Sequence, residues 1–381
     1  MNVMIESNEA IRLYELKVKV REEVGSILSE CSKKRASRDP HSRRKPRPCG
    51  ITIHPGHGCV FGCVYCYVPD MGFPSSEVKP YPLNSLELVY ALSLNPYVVP
   101  ERTLAAYGSV TEPLLPKLVD KTLSYIRDVW KWLRLPSQIS TKEIISEDIA
   151  KKLKDYEPRI SILITIISIS KSKILEPKAP DPLLRLKGAK VASSFGLRVD
   201  LFLRPIIPGI TDKEYMDILK LAVSHGVKGV VTGSLRVTQG VIDRLKKSGI
   251  GINTIVGRLT RSPRSKGDQV PISTSDIKLR VDEYARRLGM DVMQSACAAN
   301  VLSHGMSCRL CSFGPCGMRF YKPSEREIME FLEYLGVKLV ELVSSGNGFN
   351  ILIRRSREFS TTWLKHYLSE VYKVKFKIIE V

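Results

Sequence analysis

The chain has 381 residues, enough for one large domain with appendages, and its 43% hydrophobic content is that of a packed globular protein. No apolar run reaches the roughly eighteen residues of a membrane span, and the opening MNVMIESNEAIRLYELK lacks a signal peptide's apolar core, so a cytoplasmic location is expected. Nine cysteines, mostly clustered, argue for metal ligation in a reducing compartment rather than a disulfide framework, and a net charge of +20 favours nucleic acid as partner over plain solubility.

In chain order, residues 5–32 read as an amphipathic helix, with Ile11, Leu13, Leu16, Val18 and Val24 among its apolar positions. Residues 33–47, KKRASRDPHSRRKPR, form a basic arm expected to be flexible when free and able to lie along phosphates. From Gly50 to about Lys247, two kinds of segment alternate. Strands are predicted at Ile51–His54, Thr103–Tyr107, Ser137–Ser140, Ile160–Ser168, Leu197–Leu203 and Gly229–Gly233. Helices are predicted near 84–94, 114–132, 146–154, 182–195, 212–225 and 239–248. The alternation predicts an α/β fold in which six β/α units make a partial barrel, with working groups at the carboxyl ends of the strands. The expected divisions are an N-terminal helix and arm (1–49), the barrel (50–290), a Cys-rich segment (291–322) and a small α+β domain (323–381). The last part reads as helix, strand, an Asn-Gly hairpin, strand, helix and strand, with Arg354, Arg355 and Lys365 on its rim. Scarce Gln and Asn beside plentiful Lys, Arg and Glu is a thermophile-like composition.

Two groups of cysteines carry the chemistry. Cys59, Cys63 and Cys66, in GHGCVFGCVYCY, are spaced C-x3-C-x2-C directly after the first strand candidate. Three thiolates in one loop can grip three corners of a 4Fe–4S cube and leave one iron open to chelate a small molecule. The same thiols could instead hold zinc, with His54 or His57 as fourth ligand. The second group, Cys297, Cys308, Cys311 and Cys316, lies in CAANVLSHGMSCRLCSFGPC, where His304 could replace one thiol. It is a complete ligand set, for zinc or for a second 4Fe–4S cluster, with the cluster preferred. Cys31 and Cys49 read as incidental, Cys49 being near enough to the first loop to be a candidate ligand.

The cysteine loop resembles that of the radical S-adenosylmethionine (SAM) superfamily. SVTEPLLP, STKE, ISISKSKILEPKAPDPLLRLKGAK and GLRVDLFLRPIIPGITD, in that order, resemble its spore photoproduct lyase-like branch over residues 50–225. The resemblance implies a 4Fe–4S cluster on the loop thiolates, SAM on the open iron, and a ferredoxin or flavodoxin as electron donor. It also implies reductive SAM cleavage to a 5′-deoxyadenosyl radical. By the same resemblance Tyr65 would meet the adenine, and Thr111 and Glu112 would sit near the SAM methionine. Lys142 would approach the SAM carboxylate or ribose, Ser168 or Ser170 its hydroxyls, and Arg204 a carboxylate. Glu176 would brace a loop. The residue alternatives are a helix cap for Thr111, a helix-dipole contact for Glu112, and surface charges for Lys142 and Arg204. One departure stands out: the hydrogen-donating Cys of photoproduct lyases is missing from AAYGSVTEP, where Ser109 lies closest. A hydroxyl O–H is too strong to replace S–H, and Tyr107 reads as packing. The expected substrate is therefore nucleic acid, with RNA modification ahead of DNA repair. Alternatives are a protein or peptide substrate, or a metal-stapled nucleic-acid-binding protein without catalysis.

Overall fold

The computed structural model describes residues 8–47, 50–317, 321–346, 348–354 and 359–381. Three residues named above, Cys49, Asn347 and Arg355, lie outside them. Seven parallel strands form one sheet in chain order: β1 (Ile51–Ile53), β2 (Ala105–Tyr107), β3 (Ser137–Thr141), β4 (Ser161–Thr165), β5 (Arg198–Ile206), β6 (Gly229–Ser234) and β7 (Asp291–Met293). Parallel neighbours need crossovers, and helices supply them on the outer face. Strand alternation sends Ile162, Ile164, Val199, Leu201 and Val230 to that helix layer, and Leu163, Phe202, Val231 and Met293 to the inner face. Each fully buried Leu or Ile of the helix side contributes about 1.5–3 kcal/mol.

Six predicted strands are present and β7 is an addition: at three residues, ending beside a Gln-Ser pair, it is too short to show a period. The sheet therefore runs through Met293, past residue 290. The crossover helices are α3 (Ser85–Leu94), α4 (Val119–Leu133), α5 (Glu147–Tyr156), α6 (Pro182–Ser194) and α7 (Thr211–Ser224). Helix α4 starts at Val119 rather than near 114, because Pro116 has no N–H for a helix interior. Thr111 therefore caps no helix, and Glu112 lies outside the first turn of one. Between β6 and β7 come α8 (Gln239–Lys247), a loop segment with its own apolar cluster, and α9 (Ser275–Arg287).

The N-terminal region differs most from expectation. It holds two helices, α1 (Glu9–Ile27) and α2 (Glu30–Arg38), capped by Asn8 and Ser29. The basic arm is folded rather than loose. The Asp39 carboxylate is buried, accepting the Tyr81 hydroxyl at 2.7 Å and pairing with His41 Nδ1 at 2.7 Å. Asn95 donates to the carbonyls of His41 and Arg44, each at 2.8 Å, and Arg35 pairs with the buried Glu87 at 3.0 Å. Lys34, Arg38, Arg43, Lys45 and Arg47 remain exposed.

After β7 come α10 (Ala296–Ser303) and the Cys-rich turns, then α11 (Glu325–Tyr334). The tail continues as β8 (Leu339–Ser345), β9 (Gly348–Ile353), α12 (Thr361–Tyr372) and β10 (Lys375–Glu380), forming a three-stranded sheet in that strand order. Ala10 and Leu13 of α1 are buried in one core with Phe331, Phe349, Tyr367 and Phe376 of the tail. No helix among the described residues is long and apolar enough to cross a membrane.

Candidate metal and cofactor site

The cysteine loop leaves the carboxyl end of β1 and is held from three sides. Cys59 N–H donates to Pro74 O at 3.2 Å, Val64 N–H to Leu175 O at 3.0 Å, and Lys178 N–H to Phe61 O at 3.2 Å. Gly58 has φ +85°, and a Cβ there would lie 2.2 Å from Glu77 O, so only glycine fits. On the far side, Arg244 of α8 grips Asp70 with both guanidinium ends, at 3.0 and 2.8 Å, and donates to Val64 O at 3.3 Å and Cys66 O at 2.5 Å. Thr238 also donates to Asp70. Burial opposes the Asp70 charge, but Arg244 and Thr238 hold its carboxyl below the usual range.

Burial pushes the Cys63 thiol up to about 12 and raises Cys59 and Cys66 too, so all three are thiols until a metal replaces their protons. The three act electrostatically on one another, and backbone N–H groups of Phe61 and Val68 donate to Cys59 and Cys66. Among the described residues no three His, Cys, Asp or Glu side chains are grouped as around a single ion. A cube takes each thiolate on a different iron, which suits three thiols carried on one loop. His54 has one ring nitrogen occupied by Arg44 at 3.3 Å and stacks on His57, 6.2 Å between ring centroids. The donor chemistry fits a 4Fe–4S cluster. The nearby Thr111 hydroxyl, buried and without a hydrogen-bond partner, is left for a ligand.

Tyr65, Glu112 and Lys142 gather at this loop. The buried Tyr65 hydroxyl donates to Glu176, and Glu176 pairs with Arg185 at 2.6 Å, both side chains 1% exposed. Arg185 is fixed in turn by Pro180 O at 2.7 Å and Thr165 O at 3.0 Å. Glu176 thus braces the Tyr65 ring. Glu112 accepts from the Thr141 hydroxyl at 2.6 Å, Lys142 N–H at 2.9 Å and Leu114 N–H at 3.2 Å. Burial still outweighs these donors and lifts its carboxyl to about 7. The Lys142 ammonium lies 5.9 Å from the Tyr65 ring centroid. Burial works against its charge, yet Cys63, Glu176 and Glu112 hold its pKa above the usual lysine range.

The remaining candidates stand at neighbouring strand ends. Ser168 and Ser170 both donate to Glu214 of α7, at 2.8 and 2.6 Å, and Glu214 also takes the N–H groups of Ile169 and Ser170. The Ser168 hydroxyl oxygen also accepts the Lys171 N–H at 3.0 Å, which leaves it one lone pair for a further donor. Arg204, near the end of β5, is exposed and crosses Gly233, where a Cβ would lie 2.5 Å from its Cδ. Tyr107 packs in the helix-side core and does not face the inner sheet surface, and Ser109 is exposed. Arg185, Glu214, Asp70 and Arg244 escaped the sequence reading. Asp70 and Arg244 are 174 positions apart, and no local pattern links them.

In the second group, Cys308 and Cys316 exchange both backbone hydrogen bonds at 2.9 Å. The Cys316 thiol is pushed up to about 11, by burial first and then by Cys308, Cys297 and Cys311, so all four are neighbours. None of the eight described cysteines is in a disulfide.

Residues 53–222 match the family model described as "Radical SAM superfamily". Among curated proteins, "Uncharacterized protein ORF301" of Acidianus two-tailed virus is 25% identical over 167 residues, 40% of this chain and 54% of that protein, so the match spans about half of its length. Solved structures of spore photoproduct lyase variants match at 15% identity. One has TM-score 0.54 and covers 65% of this chain and 77% of that one. Another, with bound AdoMet and dinucleoside spore photoproduct, has TM-score 0.55 and covers 67% and 79%. At that identity the likeness is one of fold. The thiol loop and the parallel partial barrel agree with the family match: residues 53–222 of this chain are similar to the radical SAM domain.

Proposed function

We propose that the chain is a radical SAM enzyme whose substrate is a nucleic acid, with RNA modification ahead of DNA repair. The thiol loop at the carboxyl end of β1, inside a parallel partial barrel, carries the enzymatic part of this reading. Cys59, Cys63 and Cys66 would hold the cluster. When bound, the reduced cluster and SAM together supply a 5′-deoxyadenosyl radical that abstracts hydrogen from substrate. Tyr65, held by Glu176, would present its ring to the adenine. Thr111, Glu112 and Lys142 would take the methionine and ribose end, Ser168 and Ser170 the ribose hydroxyls, and Arg204 a carboxylate or phosphate.

The nucleic-acid part is supported by the net charge of +20, by the exposed cations of the folded arm, and by the fold shared with a lyase solved with a dinucleoside. Photoproduct repair by a thiol donor is disfavoured, since AAYGSVTEP holds no Cys and Tyr107 points to the helices. A ferredoxin or flavodoxin is the proposed reductant.

The test is anaerobic reconstitution with iron and sulfide, followed by SAM and dithionite. 5′-Deoxyadenosine is expected from the wild type and not from Cys63→Ala. No product from cluster-loaded protein, with or without tRNA, would remove the enzymatic reading. Binding to RNA should weaken at least tenfold or so from low to moderate salt. Salt-independent binding would count against phosphate contacts.

A further inference from the structure

We propose that Cys297, Cys308, Cys311 and Cys316 bind a second 4Fe–4S cluster, saturated by four thiolates and seated on the inner face of the barrel. Its location follows from the packing of α10. Ala298 and Ala299 of that helix are buried against Leu163, Val231 and Met293, with Phe202 beside them. Paired positions across a parallel sheet share a face, and Phe202 pairs with Val231, and Val231 with Met293. This face is the one turned away from the crossover helices. Cys316 packs on the same cluster of side chains, as does Ala296, the residue before Cys297. The helix then runs to the amino ends of β3 and β4. Gln138 donates to Ala296 O at 2.8 Å, Asn300 to Pro136 O at 2.9 Å, and the His304 ring meets Glu157 at 2.9 Å. His304 is thus tied to a carboxylate and an Asn300 carbonyl rather than offered to the thiols. The group lies inside the sheet, away from the loop at the carboxyl end of β1.

The turns are built to bring the thiols together. The Cys308–Cys316 backbone pair closes a ring around Cys311. Gly314 folds back so that a Cβ there would sit 3.1 Å from Cys308 O and 3.4 Å from Cys311 O. Gly317 has φ +79°, and a Cβ would lie 2.0 Å from Met306 O. Leu310 N–H donates to the Cys308 sulfur, as Phe61 does to Cys59 and Val68 to Cys66. A donor two residues on stabilises a thiolate, and both groups share it. Arg309 N–H bonds Lys373 O at 2.8 Å, tying the knot to the tail. With four thiolates no iron is open, so this cluster would not chelate SAM. The proposal is independent of the SAM reading.

The experiment is iron, sulfide and zinc analysis with electron paramagnetic resonance of the dithionite-reduced full chain. Three proteins are compared: wild type, Cys59→Ala/Cys63→Ala/Cys66→Ala, and Cys308→Ala/Cys311→Ala. The wild type should hold about eight irons and each variant about four, one cube per cysteine group. The loop variant should keep a cluster signal that SAM leaves unchanged, and the other variant a signal that SAM shifts. Zinc in place of iron in the loop variant, or no metal, overturns the proposal. The loop variant decides alone if the other fails to fold, because it leaves the second group intact. Loss of the SAM response only would sink the loop reading and spare this one.

Discussion

Arg185 is among the largest fully buried side chains of the described residues, and it stands at the end of a chain of contacts that begins at Tyr65. Breaking a buried pair by removing one partner leaves a charge without compensation, at a cost of about 3–5 kcal/mol. Arg185→Met should lose that much in chemical denaturation. Tyr65→Phe, which removes one hydroxyl donor and keeps the ring, should lose only about 1–2 kcal/mol and retain its iron. Equal stability of Arg185→Met and wild type would refute the brace.

At the scale of elements, α8 clamps the cysteine loop through one side chain. Arg244 reaches Asp70 and two loop carbonyls with a planar fork that lysine lacks. Arg244→Lys should therefore release iron to a chelator several-fold faster than wild type, read as bleaching of the cluster absorbance. Unchanged bleaching would mean that the backbone bonds hold the loop unaided.

Helix α1 offers a pH test. Burial, with help from Arg21, lowers the Lys17 ammonium to about 7, although its head donates to Asn95 O. The folded pKa lies below the unfolded one, so the cost is fully present below pH 7 and fades as pH rises from about 7 to 10.5. The stability difference between Lys17→Met and wild type should shrink across that window, by up to about 5 kcal/mol. A constant difference would show that the ammonium is hydrated.

For the whole molecule, the N-terminal helix joins barrel and tail. Tyr367 donates to Ala10 O at 2.8 Å, Asn8 to Glu327 O at 2.7 Å, and Arg102 to Val371 O at 3.0 Å. Arg12 bridges Glu9 and Glu101 beside them. Leu13 is fully buried in the shared core, so Leu13→Ala should cost about 2–5 kcal/mol. Hydrogen exchange should then quicken in the tail strands and in α1 together. Exchange confined to α1 would mean that the tail folds alone.

Much of this molecule is local in origin. The strand–helix alternation follows from hydrophobic period and turn chemistry, and the thiol loop from spacing within eight positions, so both were legible in the residues alone. So was the tail, whose order of helix, strand, strand, helix and strand is the one the structure shows. The arm was misread because its order comes from distant partners: Tyr81, Glu87 and Asn95 satisfy groups that look solvated in sequence. The braces on the site have the same origin. Glu176 with Arg185, Glu214 with Ser168, and Asp70 with Arg244 are pairs made by strand order, which places remote segments side by side. Nor could spacing put α10 on the inner sheet face, because an Ala-rich helix carries no sign of which surface it will cover. The sequence by itself determined which groups can do chemistry. Only the tertiary structure decided which of them are held, by whom, and on which side of the sheet, since burial and pairing are properties of contacts rather than of residues.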